Sequence, residues 1–184
     1  MPTPHLATRA TAPTVKMVGV WLAISCALGL CGATAASAQT TTYSNTTATA
    51  ANAISDTATP CANPLVRNFT VGTSYTISDV NIGAVVQHTY RGDLQMVLQS
   101  PAGTRVTIES AVGANAQNFN VLMDDGAVAA ISTHTATPDT AVSAASAPPY
   151  QRTFKPSNPL SAFNGQNSLG TWRMEICDTA GGDS

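Results

Sequence analysis

The sequence predicts an all-β sandwich or barrel, and three observations point that way. Apolar residues return at every second position in several short runs, Pro and Gly separate those runs, and no segment of the exported chain keeps a helical period. Tyr75 and Ile77 alternate with polar neighbours, as do Val80 and Ile82. Leu94, Met96 and Leu98 share one face of the next strand, with Gln95, Val97 and Gln99 on the other. Ser100-Pro101-Ala102-Gly103-Thr104 reads as a turn, in which Pro101 presets φ and Gly103 supplies a positive φ. Val106 and Ile108 return as its partner strand. Late in the chain Trp172, Met174 and Ile176 point one way and Arg173, Glu175 and Cys177 the other, which puts the Trp172 indole in the core with one N–H to satisfy.

What precedes the strands reads as an address. Arg9 and Lys16 form a thin basic region, residues 17–30 are apolar, and Ala36-Ser37-Ala38 is a small-x-small cleavage pattern before Gln39. The apolar run is short for a membrane span. Residues 1–38 therefore read as a signal peptide cleaved after Ala38, and the mature chain as secreted, periplasmic or held at the cell surface. A lipid anchor on Cys26 or Cys31 is the weaker alternative, because Leu30 is bulky before Cys31 and Cys26 lies inside the apolar run. Residues 39–60, short of large apolar side chains, read as a flexible Thr/Ala-rich leader with a strand near its end. Residues 61–184 are the folded domain.

Cleavage changes the charge and the cysteine count. Without Arg9 and Lys16, six of the eight basic side chains remain against ten acidic ones, a net charge of −4. Nothing in that balance attracts phosphate backbones, so nucleic acid is excluded as a partner. Cys61 and Cys177 remain, and in an exported protein they are expected to form a disulfide. Without a His/Cys cluster the mature chain offers zinc no site. Residues 124–149, small and polar, read as an exposed insertion with one short strand around 128–131.

The strands carry a resemblance. His88-Thr89-Tyr90-Arg91-Gly92-Asp93-Leu94 is followed by Leu98-Gln99-Ser100-Pro101-Ala102-Gly103-Thr104. Then come Phe154-Lys155-Pro156, Leu160, Phe163-Asn164-Gly165, and Gly170-Thr171-Trp172 leading to Asp178. Together, in this order and spacing, they resemble the P domain (Homo B domain) of subtilisin-like proprotein convertases, the kexin and furin group, over residues 66–184. The resemblance implies an antiparallel jelly-roll β-sandwich that accompanies a serine endopeptidase domain without cleaving anything itself. It also implies a closing strand beyond Asp178, so the domain reads as C-terminally truncated. His88, Gly92, Asp93, Leu94, Pro101, Gly103, Thr104, Gly165, Gly170, Trp172 and Asp178 are then structural motif residues.

Other motifs dissolve against this reading. Arg91-Gly92-Asp93 matches an adhesion tripeptide, but it leads straight into a core strand. It is expected to be a bend in which Gly92 gives the backbone freedom and Asp93 accepts backbone N–H bonds. Gly72-Thr73-Ser74 and Gly182-Asp183-Ser184 look like fragments of serine-protease motifs, yet neither has its continuation. Neither His88 nor His134 has the context of a catalytic base. The expectation is no catalytic residue and no required cofactor. Asp124, Asp125, Asp178 and Asp183 are candidate calcium ligands, since hard oxygen ligands on loops suit Ca²⁺, with turn capping as the plain alternative. Two functions follow: an exported accessory module for a subtilisin-like catalytic domain, or a free-standing extracellular module for adhesion or glycan binding.

Overall fold

The computed structural model describes residues 11–20, 38–45, 47, 54–134, 138–139 and 150–181. Among them are nine strands: β1 Thr11–Val20, β2 Ala38–Ser44, β3 Leu65–Val71, β4 Thr76–Val86, β5 Leu94–Gln99, β6 Arg105–Ser110, β7 Phe119–Met123, β8 Arg152–Phe154 and β9 Gly170–Asp178. They form a five-stranded sheet in the order β2-β1-β4-β7-β8 and a four-stranded sheet in the order β3-β9-β5-β6. Every pairing is antiparallel except β7 with β8. Helical structure among the described residues is limited to single 3-10 turns at Arg91–Asp93, Ile131–Thr133 and Leu160–Phe163.

The alternation seen in the sequence is what presses the sheets together. Ile77, Val80, Ile82, Phe119, Val121 and Met123 from one sheet share a single buried cluster with Phe69, Leu94, Met96, Leu98, Trp172, Met174 and Ile176 from the other. The chain is an all-β sandwich. Trp172 sits in it with no exposure, its indole N–H donating to the Ser168 carbonyl at 3.0 Å and its ring edge-on to Phe163 at 5.0 Å. The turn at 100–104 forms as expected: Gly103 takes φ 88° and its N–H donates to the Ser100 carbonyl at 2.9 Å.

Three segments differ from expectation. Residues 11–20, read as part of the signal, form β1 in the whole chain, inserted between β2 and β4, with Met17 fully buried. While attached, this apolar, β-branched run pairs with the edge of β4, which has no other strand on that side among the described residues. β2 falls at the start of the segment read as the leader, while residues 46 and 48–53, towards its end, lie outside the described residues. In the long insertion the expected strand shrinks to one bridge, Ala130 with Lys155, and a 3-10 turn that buries Ile131. The insertion is anchored as well: His134 and Asp139 are 4% and 2% exposed.

Cys61 and Cys177 form the expected disulfide. It fastens the turn before β3 to the end of β9, where Pro60 bridges to Asp178 and the Asp178 N–H donates to the Thr59 carbonyl at 3.1 Å. No helix among the described residues is long and apolar enough to cross a membrane.

Candidate functional site

The Arg91-Gly92-Asp93 turn organises the polar chemistry of the domain. It connects the end of β4 to β5, and residues 111–118 clasp it through main-chain bonds. The Arg91 N–H donates to Ala116 at 2.7 Å and the Gly92 N–H to Ala114 at 2.9 Å. Gly92 is needed for closeness more than for its own dihedral freedom, because a Cβ there would stand 2.9 Å from the Cα and the carbonyl oxygen of Ala114. Gly92→Ala is therefore expected to cost about 1–3 kcal/mol, the usual range for overpacking, read by urea denaturation. Asp93 contributes its main-chain carbonyl, which accepts from the Thr179 N–H and hydroxyl, each at 2.7 Å. The expected role for its carboxylate is thus taken by its backbone. Burial, with Asp178 nearby, holds the Asp93 carboxyl above its ordinary range.

Arg91 shows why the tripeptide is no adhesion signal: its side chain is fully buried. The guanidinium lies 5.0 Å over the Phe119 ring, and its Nη1 donates to the Asn118 carbonyl at 3.0 Å. Beside it, His134 Nε2 stands 3.0 Å from Asp139 Oδ2 and 2.9 Å from Arg91 Nη1. A carboxylate only accepts and a guanidinium only donates, so a proton on Nε2 serves Asp139. Asp139 also accepts from the Asn120 N–H and from Arg152 Nε, both at 2.9 Å. Burial alone would raise its pKa, but the bonds from His134, Asn120 and Arg152 outweigh burial and hold the carboxyl below the ordinary range. On the far side, burial pushes Glu109 up to about 8 against the opposing pull of the Val112 N–H and Arg91.

His88 belongs to a second pair. Its Nε2 donates to Asp178 Oδ2 at 3.2 Å, with both side chains fully buried, while Nδ1 meets the main chain of Tyr90. Each described histidine is thus committed to a carboxylate, and neither has a serine hydroxyl as a hydrogen-bond partner among the described residues. Ser74 accepts from the Asn167 amide at 2.8 Å instead. Gly182, Asp183 and Ser184 lie outside the described residues, as do Cys26 and Cys31.

The other candidate calcium ligands disperse. Asp124 Oδ1 accepts from the Gly126 N–H at 2.6 Å, closing a turn. Asp125 accepts from the Leu160 and Ser161 N–H groups at 2.9 and 2.8 Å, capping the 3-10 turn there. Asp178 Oδ1 takes the Ala180 N–H at 3.0 Å. Among the described residues no group of three His, Cys, Asp or Glu side chains is placed to hold a metal ion. Each of these three carboxylates caps main-chain N–H groups.

The motif residues, by contrast, converge. His88 meets Asp178, Ser100 donates to Gln166 at 2.8 Å, and Phe163 packs edge-on against Trp172. A Cβ on Gly170, whose φ is 127°, would stand 2.8 Å from the Pro101 ring. Motif residues far apart in sequence touch one another in the fold. The profile of the proprotein convertase P-domain family matches residues 77–184. The chain belongs to that family. No match was found among curated proteins or among solved structures. P domains are the non-catalytic accessory domains of subtilisin-like serine endopeptidases and pack with the catalytic domain. In this P domain the outer face of the β3-β9-β5-β6 sheet carries an ion cluster. There Arg105 forks onto Glu175 at 3.0 and 2.6 Å and Arg173 approaches at 3.4 Å. A groove of about 420 Å³ beside the disulfide, lined by Cys61, Gln95, Asp178 and Thr179, adjoins it.

Proposed function

We propose that this chain is an exported accessory P domain that stabilises, or assists the maturation of, a subtilisin-like catalytic domain by packing a sandwich surface against it, and that it has no hydrolytic activity of its own. The observation that carries this reading is the commitment of both described histidines, His88 and His134, to buried carboxylate partners. A general base needs an imidazole nitrogen within reach of a nucleophile; both nitrogens of His88 are engaged, by Asp178 and by the main chain of Tyr90, and neither ring has a serine hydroxyl as a hydrogen-bond partner among the described residues. Export is supported by the Ala36-Ser37-Ala38 pattern and by a disulfide, which belongs to oxidising compartments.

The test has two arms on the purified exported chain. Incubated with casein, it is expected to release no peptides. Produced together with a subtilisin-like catalytic domain from the same organism, it is expected to raise the yield of active enzyme. Casein turnover abolished by a serine-directed inhibitor would overturn the non-catalytic reading, and an unchanged enzyme yield would overturn the accessory one.

A further inference from the structure

Strand β4 has a partner on each side, and the two differ in kind. β7 lies within the region that matches the P-domain family. β1 lies within the segment read as a cleavable signal. It pairs with β4 from Thr11 opposite Val85 to Val20 opposite Thr76, and it is also the one sheet partner of β2. Met17, fully buried, stands opposite Val80, which is 1% exposed. Cleavage after Ala38 removes all of β1. The main-chain groups of β4 on that side then lose their partners, and the place of Met17 over the core is emptied.

The leader is a poor replacement. β2 runs antiparallel to β1 and β1 antiparallel to β4, so β2 is parallel to β4. Moved sideways in its present register it would set Thr41, the residue paired with Met17, over Val80. A hydroxyl would then occupy a core position that a thioether now fills, at the cost of an unmade hydrogen bond. What fits is what now sits there: an antiparallel extended segment with a large apolar side chain opposite Val80.

We propose that, in the exported chain, the bared edge of β4 is the docking edge of this P domain, taking an antiparallel strand from a partner polypeptide by main-chain pairing along residues 76–85. Main-chain bonds would supply much of the affinity and the pocket over Val80 the selectivity, as in other strand-addition complexes. The inference rests on the export reading and deepens it, naming the surface through which the accessory domain meets its partner.

The experiment uses the full chain, produced without export and carrying a sequence-specific protease site between β1 and β2. After cutting, a fluorescent peptide with the sequence of residues 11–20 is added, in parallel with its Met17→Asp form. The unmodified peptide is expected to displace the resident strand and bind about tenfold or more tightly than the Asp form. Hydrogen exchange at β4 amides is expected to quicken when the resident strand is washed out and to slow again with peptide. The proposal is overturned if the two peptides bind alike. It is overturned too if β4 stays protected after residues 11–20 have left, with β2 closing the slot at unchanged mass or a second copy closing it at doubled mass. N-terminal sequencing of the secreted product tests the export reading separately: a product that retains residues 11–20 overturns that reading and leaves the edge measurement standing.

Discussion

Replacing both Cys61 and Cys177 with serine is expected to lower the unfolding free energy by about 4–5 kcal/mol, a large part of what holds a domain of this size together. The disulfide spans 116 residues, and in the chain-entropy model a loop of that length gives the unfolded chain a restriction of this order. A local consequence adds to it. Cys177 precedes Asp178, whose carboxylate receives His88 and whose N–H pairs with Thr59. Freeing Cys61 loosens the Pro60–Asp178 bridge and exposes the His88–Asp178 pair to water. Urea denaturation of the oxidised chain and the double variant, with the variant's His88 amide followed by hydrogen exchange, measures both effects. A loss below about 1 kcal/mol would mean that the remaining contacts of the segment before β3 already restrain the chain.

The strands and the disulfide were legible because each depends on a rule local to the sequence. Period-two alternation sorts Leu94, Met96 and Leu98 inward without knowledge of the partner strand, and two cysteines in an exported chain leave one pairing. The buried charges were not legible, for three separate reasons. Arg91 reads as a surface residue until the 111–118 segment folds over it. Glu109 breaks alternation: the register of β6 against β5 slips between Met96 and Val97, and this bulge puts both Ile108 and Glu109 inside. His134 and Asp139 stand among Thr, Ala and Ser with no period, and their partners Arg91, Asn120 and Arg152 come from other parts of the chain. A carboxylate and an imidazole five residues apart in an otherwise uncharged stretch were the available signal. The spread of Asp124, Asp125 and Asp178 shows the converse. Acidic residues at strand ends read equally as ligands or as turn caps, and in the fold each of these accepts from main-chain N–H groups.

Asp139→Asn is expected to cost about 3–5 kcal/mol at neutral pH, because it leaves the buried Arg91 guanidinium without its counter-charge and sets an amide N–H₂ against donors. Arg152, a third exposed, can turn to solvent, whereas Arg91 cannot. The pH dependence separates this electrostatic cost from a packing defect. The Asp139 carboxyl is depressed in the folded state, so its stabilisation is complete above the ordinary carboxylate value of 3.8 and fades as pH falls through the lower folded value. The gap between wild type and Asp139→Asn should therefore narrow in acid. Glu109 acts with the opposite sign. Its folded pKa of about 8 lies above the ordinary 4.5, so the folded state holds the extra proton and stability declines as pH rises between those values. Glu109→Gln keeps an oxygen for the Val112 N–H, bound at 3.0 Å, and removes the titration. It should flatten that decline while leaving in place the acid limb, to which Asp139 and the Arg105-paired Glu175 both contribute. Thermal unfolding of the three proteins from acid to pH 9 reads both limbs. A Glu109→Gln curve parallel to wild type across the neutral range would show that this carboxyl is not the buried proton carrier, and a constant Asp139→Asn gap would assign that cost to packing.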